Sequence, residues 1–236
     1  MFKTWRGRLI LITGASRGLG KELFSYYLKN NFPVRGTYNK TLPKDVPPEL
    51  LHSVDVTDFP AVESWIEEIK SNFSGDITLI NCAGISYNAF AHKSDPEAWR
   101  QVIEVNLIGT YNCIRSVLPY MREQNHGRII TVSSVVAQMG VPGTTSYAAS
   151  KAALGGLVKS LSKEFKGKNI TANNINLGYF DAGMIEQVPA NIQEDVKSKI
   201  PNGRFGKPSE LYDLIEFLRN SPYTNGSSLD INGGIF

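Results

Sequence analysis

Short apolar runs alternate with longer amphipathic segments along this sequence, and this alternation limits the possible folds more than any other feature. Apolar runs separated by helices predict a parallel sheet, because each helical crossover returns the chain to the same end of the sheet. The predicted class is therefore α/β, with a doubly wound parallel sheet of about seven strands flanked by helices. The predicted strands are Arg8–Thr13, Pro33–Thr37, Leu51–Val54, Ile77–Ile80, Arg128–Ser133, Ile170–Ile175 and Ser228–Ile231. The predicted helices are Gly18–Asn30, Pro60–Asn72, Pro96–Glu123, Ser146–Lys166 and Ser209–Asn220.

Proline positions refine this prediction in two places. The sequence Ser94-Asp95-Pro96-Glu97 predicts a helix start, in which Ser94 is the capping residue and Glu97 completes a capping box. The segment Thr41–Glu49, between the second and third strands, contains three prolines. Because proline disfavours helix interiors, this second crossover is predicted to be short or irregular.

The composition is that of an ordinary folded protein. Of the 236 residues, 42% are hydrophobic and 20% are charged, and the net charge is only +3. These values argue against disorder and against nucleic-acid binding. Cys82 and Cys113 lie in apolar stretches and are predicted to be buried thiols, and the histidines are too far apart for a metal site. The apolar run Leu9–Ile12 is too short for a signal peptide or a membrane span, so we expect a cytoplasmic protein.

Three glycines follow the first predicted strand, in Thr13-Gly14-Ala15-Ser16-Arg17-Gly18-Leu19-Gly20. Glycine allows the backbone to turn tightly and to approach a pyrophosphate, and the N-terminus of the following helix offers free N–H groups to phosphates. The alternative is a tight turn that binds no ligand. The position of the turn, after a strand and before a helix, favours a dinucleotide site.

A tyrosine and a lysine suggest acid–base chemistry. Tyr147 and Lys151 are four residues apart in a predicted helix, so their side chains lie on one face. A nearby ammonium lowers the pKa of a phenol. Ser134, at the end of the fifth strand, can polarise a carbonyl, and Asn106, within a helix, can bend that helix and hold a water. Each of the four residues also has an ordinary structural interpretation, such as a helix surface pair or a strand end.

Together with the glycine turn, these residues resemble the classical short-chain dehydrogenase/reductase family over essentially the whole chain, through the terminal Asn232-Gly233-Gly234. The resemblance implies a single-domain Rossmann fold for residues 1–236 and no metal. It implies a catalytic set of Asn106, Ser134, Tyr147 and Lys151. The implied cofactor contacts are Gly14, Ser16, Arg17, Gly18, Leu19, Gly20, Asn39, Lys40, Asp55, Val56, Asn81, Ala83, Gly84, Tyr147, Lys151, Gly178 and Phe180. Among these, Asn81 is expected to steady the central sheet.

The residues after the second strand favour NADP(H) over NAD(H). An acid at that position usually holds a free ribose hydroxyl, but the strand ends in Tyr38-Asn39-Lys40 and no carboxylate follows until Asp45. Arg17 and Lys40 instead offer two cations to a 2′-phosphate. The alternative is that both are solvated surface charges.

Within the family, the chain is most similar to 3-oxoacyl-(acyl-carrier-protein) reductases. The similarity rests on Gly127–Ile130, Ser134–Val136, Gly203–Pro208 and the terminal glycines. It implies that NADPH delivers hydride to the carbonyl of a 3-oxoacyl thioester, on acyl-carrier protein or CoA, while Tyr147 gives a proton to the developing alkoxide. The pathway implied is fatty acid or polyketide biosynthesis.

Surface features suggest partners. A basic rim flanking the two helices that carry Tyr147 and Asn106 is a candidate docking site for an acidic carrier protein. Surplus apolar residues on the same helices predict a subunit interface, and the resemblance implies a homotetramer, with a dimer as the second possibility. The predicted rim residues are Arg122, Arg128, Lys166 and Lys168.

The loop after the sixth strand departs from the family pattern. Leu177 replaces the usual proline, and Ala182 replaces a threonine expected to touch the cofactor. The change is expected to loosen cofactor binding or re-aim the ring. The residues predicted to line the substrate pocket are Tyr87, Gln138, Val141, Tyr179 and Met184.

Two other functions remain open. One is an NAD(P)-dependent dehydrogenase of a small alcohol, sugar or steroid, against which the missing acid argues. The other is a non-catalytic NADP-sensing protein, which Leu177 and Ala182 favour and the intact Tyr147–Lys151 pair disfavours.

Overall fold

The computed structural model of this chain describes residues 5–236. Within them, seven strands and eight α-helices alternate along most of the chain. The strands are β1 (Trp5–Thr13), β2 (Val34–Tyr38), β3 (Leu51–Ser53), β4 (Phe73–Asn81), β5 (His126–Ser134), β6 (Asn169–Leu177) and β7 (Ser228–Ile231). The helices are α1 (Gly18–Lys29), α2 (Phe59–Asn72), α3 (Pro96–Ile103), α4 (Gly109–Gln124), α5 (Val136–Met139), α6 (Thr145–Glu164), α7 (Ala190–Ser198) and α8 (Pro208–Asn220).

All seven strands form one parallel sheet in the order β3-β2-β1-β4-β5-β6-β7. The strand order reverses direction between β1 and β4, which places a crevice at the carboxyl ends of these two strands. The predicted doubly wound sheet of seven strands is confirmed, and each predicted strand overlaps an observed one.

The sheet is buried on both faces, which explains the continuous apolar runs of its strands. Successive residues of β1 point to opposite faces, so Leu9 and Leu11 contribute to one core cluster and Ile10 and Ile12 to the other. Helices α2, α4 and α6 cover the first face, and α1 and α8 cover the second.

Two local predictions have different outcomes. The second crossover, from β2 to β3, contains only a single 3₁₀ turn at Pro48–Leu50, as its prolines predicted. The capping prediction for α3 is wrong, because the carboxylate of Asp95 accepts the hydrogen bond from the backbone N–H of Glu97 at 3.0 Å. Pro96 occupies the first helical position, so the capping residue is the one directly before it.

None of the helices within residues 5–236 combines the length and apolar character needed to cross a lipid bilayer.

Candidate active site

The glycine turn lies in the crevice and packs against the segment that follows β4. Gly14 has φ +68°, and a Cβ built on it would lie 2.7 Å from the Cα of Ala83. Thr13 Oγ1 accepts a 3.1 Å hydrogen bond from the Ala83 N–H, and the Gly14 N–H donates to Thr37 Oγ1 at 3.3 Å. These contacts join the carboxyl ends of β1, β2 and β4 and require glycine at position 14.

The N-terminus of α1 faces the same crevice. Its capping residue, Arg17, is exposed and makes no side-chain hydrogen bond to the first turn. The partial positive charge of the helix N-terminus therefore lies beside Ser16, Gly18 and Leu19, where it suits an anion. Gly183, from the segment after β6, closely approaches Gly18, since a Cβ on Gly18 would lie 2.9 Å from its Cα.

The ends of β2 and β3 bring Asn39 beside Asp55. The Asn39 side-chain amide donates to the Asp55 carboxylate at 3.1 Å, and the Thr57 backbone N–H and hydroxyl donate to it at 2.9 and 2.8 Å. Burial raises the pKa of Asp55, but these hydrogen bonds outweigh burial and hold the pKa below its usual value. Lys40 is exposed next to them and contributes to the same lowering. Val56 is buried, against Gly109 of α4.

Asn81, at the end of β4, is only 2% exposed. Among residues 5–236, neither its amide nitrogen nor its amide oxygen has a hydrogen-bond partner. The side chain therefore does not steady the sheet through hydrogen bonds, contrary to the prediction. An enclosed amide of this kind needs a polar partner such as a buried water. The glycine turn and the N-terminus of α1 are the features that fit a nicotinamide dinucleotide in the crevice.

Tyr147 and Lys151 lie in the first two turns of α6, on one face as predicted. The Lys151 Nζ is 5.8 Å from the centroid of the Tyr147 ring and donates a 2.7 Å hydrogen bond to the carbonyl oxygen of Val132. Lys151 is 5% exposed, and burial lowers its pKa to about 8, while the neighbouring Cys82 thiol acts in the opposite direction. A Cβ on Gly84 would lie 3.5 Å from this Nζ, so the ammonium borders the segment after β4.

The pKa of the Tyr147 phenol is raised, because burial is the largest effect on it. The Ser134 hydroxyl opposes the rise and the Tyr179 phenol adds to it. This differs from the expectation that Lys151 lowers the pKa of the phenol. The ammonium is instead directed to the Val132 carbonyl, which sequence spacing does not reveal.

Asn106 is fully buried in a π-helical turn, Glu104–Ile108, between α3 and α4. Its amide donates to Ile85 O at 2.9 Å and accepts from Ile85 N–H at 2.8 Å. The amide also donates to Ser150 Oγ at 3.0 Å, and Ser150 in turn donates to the Tyr147 carbonyl at 2.8 Å. The predicted local irregularity of the helix at Asn106 takes the form of this π turn, and π turns of this kind are frequent at functional sites.

Ser134 ends β5 and is 8% exposed. Its hydroxyl accepts a 3.2 Å hydrogen bond from the Val136 N–H, and the next residue, Val135, donates its N–H to Leu177 O at 2.7 Å. The structure thus brings Asn106, Ser134, Tyr147 and Lys151 to the carboxyl edge of the sheet, around the crevice.

The loop after β6 closes another side of the crevice. Gly178 packs against Asn232, since a Cβ there would lie 2.6 Å from the Asn232 Cα. Phe180 is 4% exposed and lies against Gly206. Leu177 and Ala182, the two departures from the family pattern, are both buried.

The predicted basic rim is wrong in one residue and in its position. Arg128 is 4% exposed, and its guanidinium donates to the backbone carbonyls of Arg219, Gly127 and Asn169. A fourth hydrogen bond goes to the side-chain oxygen of Asn169, so the guanidinium is used at the amino end of β5 instead of facing solvent. Arg122, Lys166 and Lys168 lie near that same end of the sheet, whereas Ser134 and Tyr147 lie at the carboxyl end.

Sequence reasoning missed three groups that contact the predicted site residues. The Ser150 hydroxyl was detectable, because it is three residues after Tyr147 on a helix. The backbone groups of Ile85 and Val132 gave no signal, since any residue supplies the same carbonyl.

Comparison with known proteins agrees with this geometry. The family model described as short chain dehydrogenase matches residues 8–193. The chain is 37% identical to the 3-oxoacyl-(acyl-carrier-protein) reductase FabG of Thermotoga maritima over 97% of this chain and 98% of that protein. It is 32% identical to the acetoacetyl-CoA reductase of Shinella zoogloeoides, over 97% of this chain and 98% of that protein.

The fold is also similar to a solved structure. The crystal structure of 3-oxoacyl-(acyl-carrier-protein) reductase from Brucella melitensis superposes with a TM-score of 0.86 at 28% identity, covering 97% of this chain and 91% of that chain. The chain therefore belongs to the short-chain dehydrogenase family and is an oxidoreductase that uses a nicotinamide cofactor on CH–OH or C=O groups.

Proposed function

We propose that this chain is an NADPH-dependent carbonyl reductase that converts a 3-oxoacyl thioester, carried by acyl-carrier protein or CoA, to the 3-hydroxyacyl product. The observation that carries the proposal is the placement of Tyr147, Lys151, Ser134 and Asn106 around one crevice beside the glycine turn. The names of relatives that align along nearly the whole chain support the substrate class.

Tyr147 is the proposed proton donor to the substrate oxygen. The phenol is protonated at neutral pH and so has a proton to give, and the Ser134 hydroxyl, which lowers the pKa of Tyr147, partly offsets the raising effect of burial. The Ser134 hydroxyl lies beside this phenol and donates to the same substrate oxygen. A bound reduced nicotinamide supplies the hydride.

Lys151 and Asn106 are proposed to restore the proton on Tyr147. With a pKa lowered to about 8, Lys151 exchanges a proton near neutral pH far more readily than an ordinary lysine. Asn106 contacts Ser150, the residue directly before Lys151, and holds the backbone of Ile85 at the crevice. In this proposal, Asn106 holds Ser150 and the Ile85 backbone in place beside the path by which water reaches Lys151.

NADP(H) is the proposed cofactor form. Arg17, at the N-terminus of α1, and Lys40, after β2, are exposed cations beside the expected adenosine end of the crevice. The Asp55 carboxylate is held by Asn39 and Thr57, so its oxygens are already engaged by donors from the protein. This arrangement favours a 2′-phosphate over a free 2′-hydroxyl.

The proposed cofactor contacts follow the crevice. From β1 to α1 they are Gly14, Ser16, Arg17, Gly18, Leu19 and Gly20. From β2 to the segment after β4 they are Asn39, Lys40, Asp55, Val56, Asn81, Ala83 and Gly84. The remaining contacts are Tyr147, Lys151, Gly178 and Phe180.

We further propose that residues 1–236 act as one catalytic domain in a cytoplasmic homotetramer. Ile108, which ends the π turn before α4, and Tyr111 of α4 are 39% and 46% exposed. Gly156, on the exposed face of α6, leaves room for a second helix to pack closely. Apolar exposure of this kind is typical of subunit interfaces.

The proposed reaction is tested by following absorbance loss when acetoacetyl-CoA is added to the protein with NADPH, and separately with NADH. Tyr147→Phe is the control variant. We expect NADPH consumption that is lost in the variant. NADPH binding without consumption would overturn the substrate assignment and would favour another carbonyl substrate or a sensing role.

A further inference from the structure

Five side chains form a continuous series of hydrogen bonds across β5, β6 and β7 and onto α5. Thr131 Oγ1 donates to Asn174 Oδ1 at 2.8 Å, and Asn174 Nδ2 donates to Asn176 Oδ1 at 2.8 Å. Asn176 Nδ2 donates to Asp230 Oδ1 at 2.7 Å, and Gln138 Nε2 donates to the same oxygen at 3.0 Å. We call these residues the polar series.

Asp230 links β6 to α5, and the series contains no other side-chain hydrogen bond that reaches α5. It lies on β7 opposite Asn176 of β6, and its Oδ1 accepts both amides. A carboxylate is a stronger acceptor than an amide oxygen, so the two bonds that meet at Asp230 are charge-assisted. They attach the short helix α5 to the edge of the sheet.

The polar series and the chain from Thr131 to Gln138 together form a closed ring, and Ser134 lies in its covalent part. Thr131 and Gln138, the two ends of the series, belong to the same stretch of chain, and Ser134 lies between them. The covalent chain therefore forms one arc of the ring and the hydrogen bonds form the other. The arc is restrained further by a backbone bond within it, from Gln138 N–H to Val135 O at 2.9 Å, and by one to β6, from Val135 N–H to Leu177 O at 2.7 Å.

The buried part of the series is unusual in a parallel strand. Thr131, Asn174 and Asn176 are between 0 and 6% exposed, on the sheet face that α6 covers. Buried amides cost stability unless their polar atoms are satisfied, and satisfied groups are fixed in one arrangement. The amides of Asn174 and Asn176 are satisfied, whereas the buried Gln138 Oε1 has no partner among the described residues. Apolar side chains would fill the same space without fixing the direction of α5.

We propose that Asp230 is a positioning residue that acts through Gln138 to hold the Ser134 hydroxyl against the substrate oxygen. The proposal rests on the proposed function of Ser134. A reacting group must be held within a fraction of an ångström, since small displacements strongly lower the rate. Asp230 supplies this restraint from an edge strand outside the catalytic set.

The test compares Asp230→Leu, which removes both hydrogen bonds, with Asp230→Asn, whose amide oxygen still accepts both. We expect Asp230→Leu to lower kcat roughly tenfold without changing the Kd for NADPH, and Asp230→Asn to stay within about threefold of the unmodified protein. Gln138→Leu breaks the same bond from the other side, and because Gln138 is also predicted to line the substrate pocket, this variant is compared by hydrogen exchange and not by kcat. Asp213→Leu, at an exposed position of α8, is the matched control and is expected to leave kcat unchanged.

The Ser134→Ala background separates positioning from general stability. If Asp230 acts through Ser134, Asp230→Leu has no further effect on kcat once the hydroxyl is gone. An equal loss in both backgrounds, or equal effects of Asp230→Leu and Asp230→Asn, would overturn the proposal.

Amide hydrogen exchange supplies a readout that needs no substrate. We expect faster exchange at residues 135–139 in Asp230→Leu and Gln138→Leu, but not in Asp230→Asn. Unchanged exchange in all variants would refute the restraint. If the unmodified protein does not reduce acetoacetyl-CoA, the substrate proposal fails, whereas the exchange result still decides the role of Asp230.

Discussion

The side-chain amide of Asn106 pairs with the backbone of Ile85 in both directions, donating to its carbonyl at 2.9 Å and accepting from its N–H at 2.8 Å. This pairing imitates the backbone bonding of a neighbouring strand. It anchors the chain that leaves β4 to the π turn between α3 and α4. The position of Ile85, in the segment that borders the crevice, therefore depends on the Asn106 amide.

Replacing this amide is expected to affect both stability and catalysis. Asn106→Leu leaves the Ile85 N–H and carbonyl without their partner, which is expected to lower the free energy of unfolding by about 2 kcal/mol. We also expect kcat to fall at least roughly tenfold, because the path for protons to Lys151 is disturbed. Urea unfolding and steady-state kinetics measure the two effects.

Asn173→Leu is a matched control for this variant. Asn173 is also buried, and its amide donates to Thr224 O at 2.7 Å and accepts from Ser227 N–H at 3.1 Å, away from the crevice. We expect a similar loss of stability with kcat per folded molecule unchanged. An equal fall in kcat would mean that Asn106 matters only through stability.

Lys151→Met is expected to stabilise the protein while removing its activity. In the folded state the pKa of Lys151 is about 8, below its ordinary value of 10.5, because of burial. Between these two pH values the unfolded chain binds more protons than the folded one, so the free energy of unfolding rises with pH from about 8 to about 10.5. The methionine variant lacks this rise and, at pH 7, is expected to be more stable by on the order of 2 kcal/mol.

Urea unfolding at several pH values between 7 and 10.5 tests this expectation, together with turnover of NADPH. Lys159→Met alters an exposed lysine of the same helix and is expected to show neither the gain in stability nor the loss of activity. Lower stability of Lys151→Met at pH 7 would show that its hydrogen bond to Val132 outweighs the cost of burying the charge.

Gly14→Ala is expected to abolish cofactor binding. The new Cβ would meet the Cα of Ala83 at 2.7 Å, so the backbone of the crevice must move. Gly167→Ala is the matched control, since Gly167 has φ +77° with no atom within 4 Å of a built Cβ. It carries only the strain of the left-handed conformation, roughly 1 kcal/mol.

NADPH fluorescence titration and thermal unfolding distinguish the two glycine variants. We expect Gly167→Ala to bind NADPH normally and to unfold at a slightly lower temperature. Normal binding by Gly14→Ala would show that the turn tolerates a side chain and would contradict its role as a dinucleotide cradle.

Arg17→Ala and Lys40→Ala are expected to weaken the binding of NADPH but not that of NADH. Each loses a charged contact to the 2′-phosphate, which corresponds to about a tenfold higher KM for NADPH, with the KM for NADH little changed. Lys29→Ala, at the far end of α1, is the control. Equal effects on both cofactors would assign the two cations to general electrostatic attraction.

The topology was predictable because each strand is a short apolar run and each crossover, apart from the one between β2 and β3, is long enough for a helix. The catalytic set was predictable from the spacing of its residues and from the resemblance to a family. The pKa shifts and the hydrogen bonds of its members were not. The raised pKa of Tyr147 and the bond from Lys151 to Val132 arise from burial and from a backbone carbonyl. The burial of Arg128 was equally invisible, because its partners are carbonyl groups from distant segments.

The short crossover between β2 and β3 leaves β3 as an edge strand of three residues. A strand this short offers few unpaired backbone groups to a second chain, and the 3₁₀ turn directly before it begins with Pro48. Strand addition at this edge is therefore disfavoured. The short crossover thus also protects that side of the sheet from aggregation with a second chain.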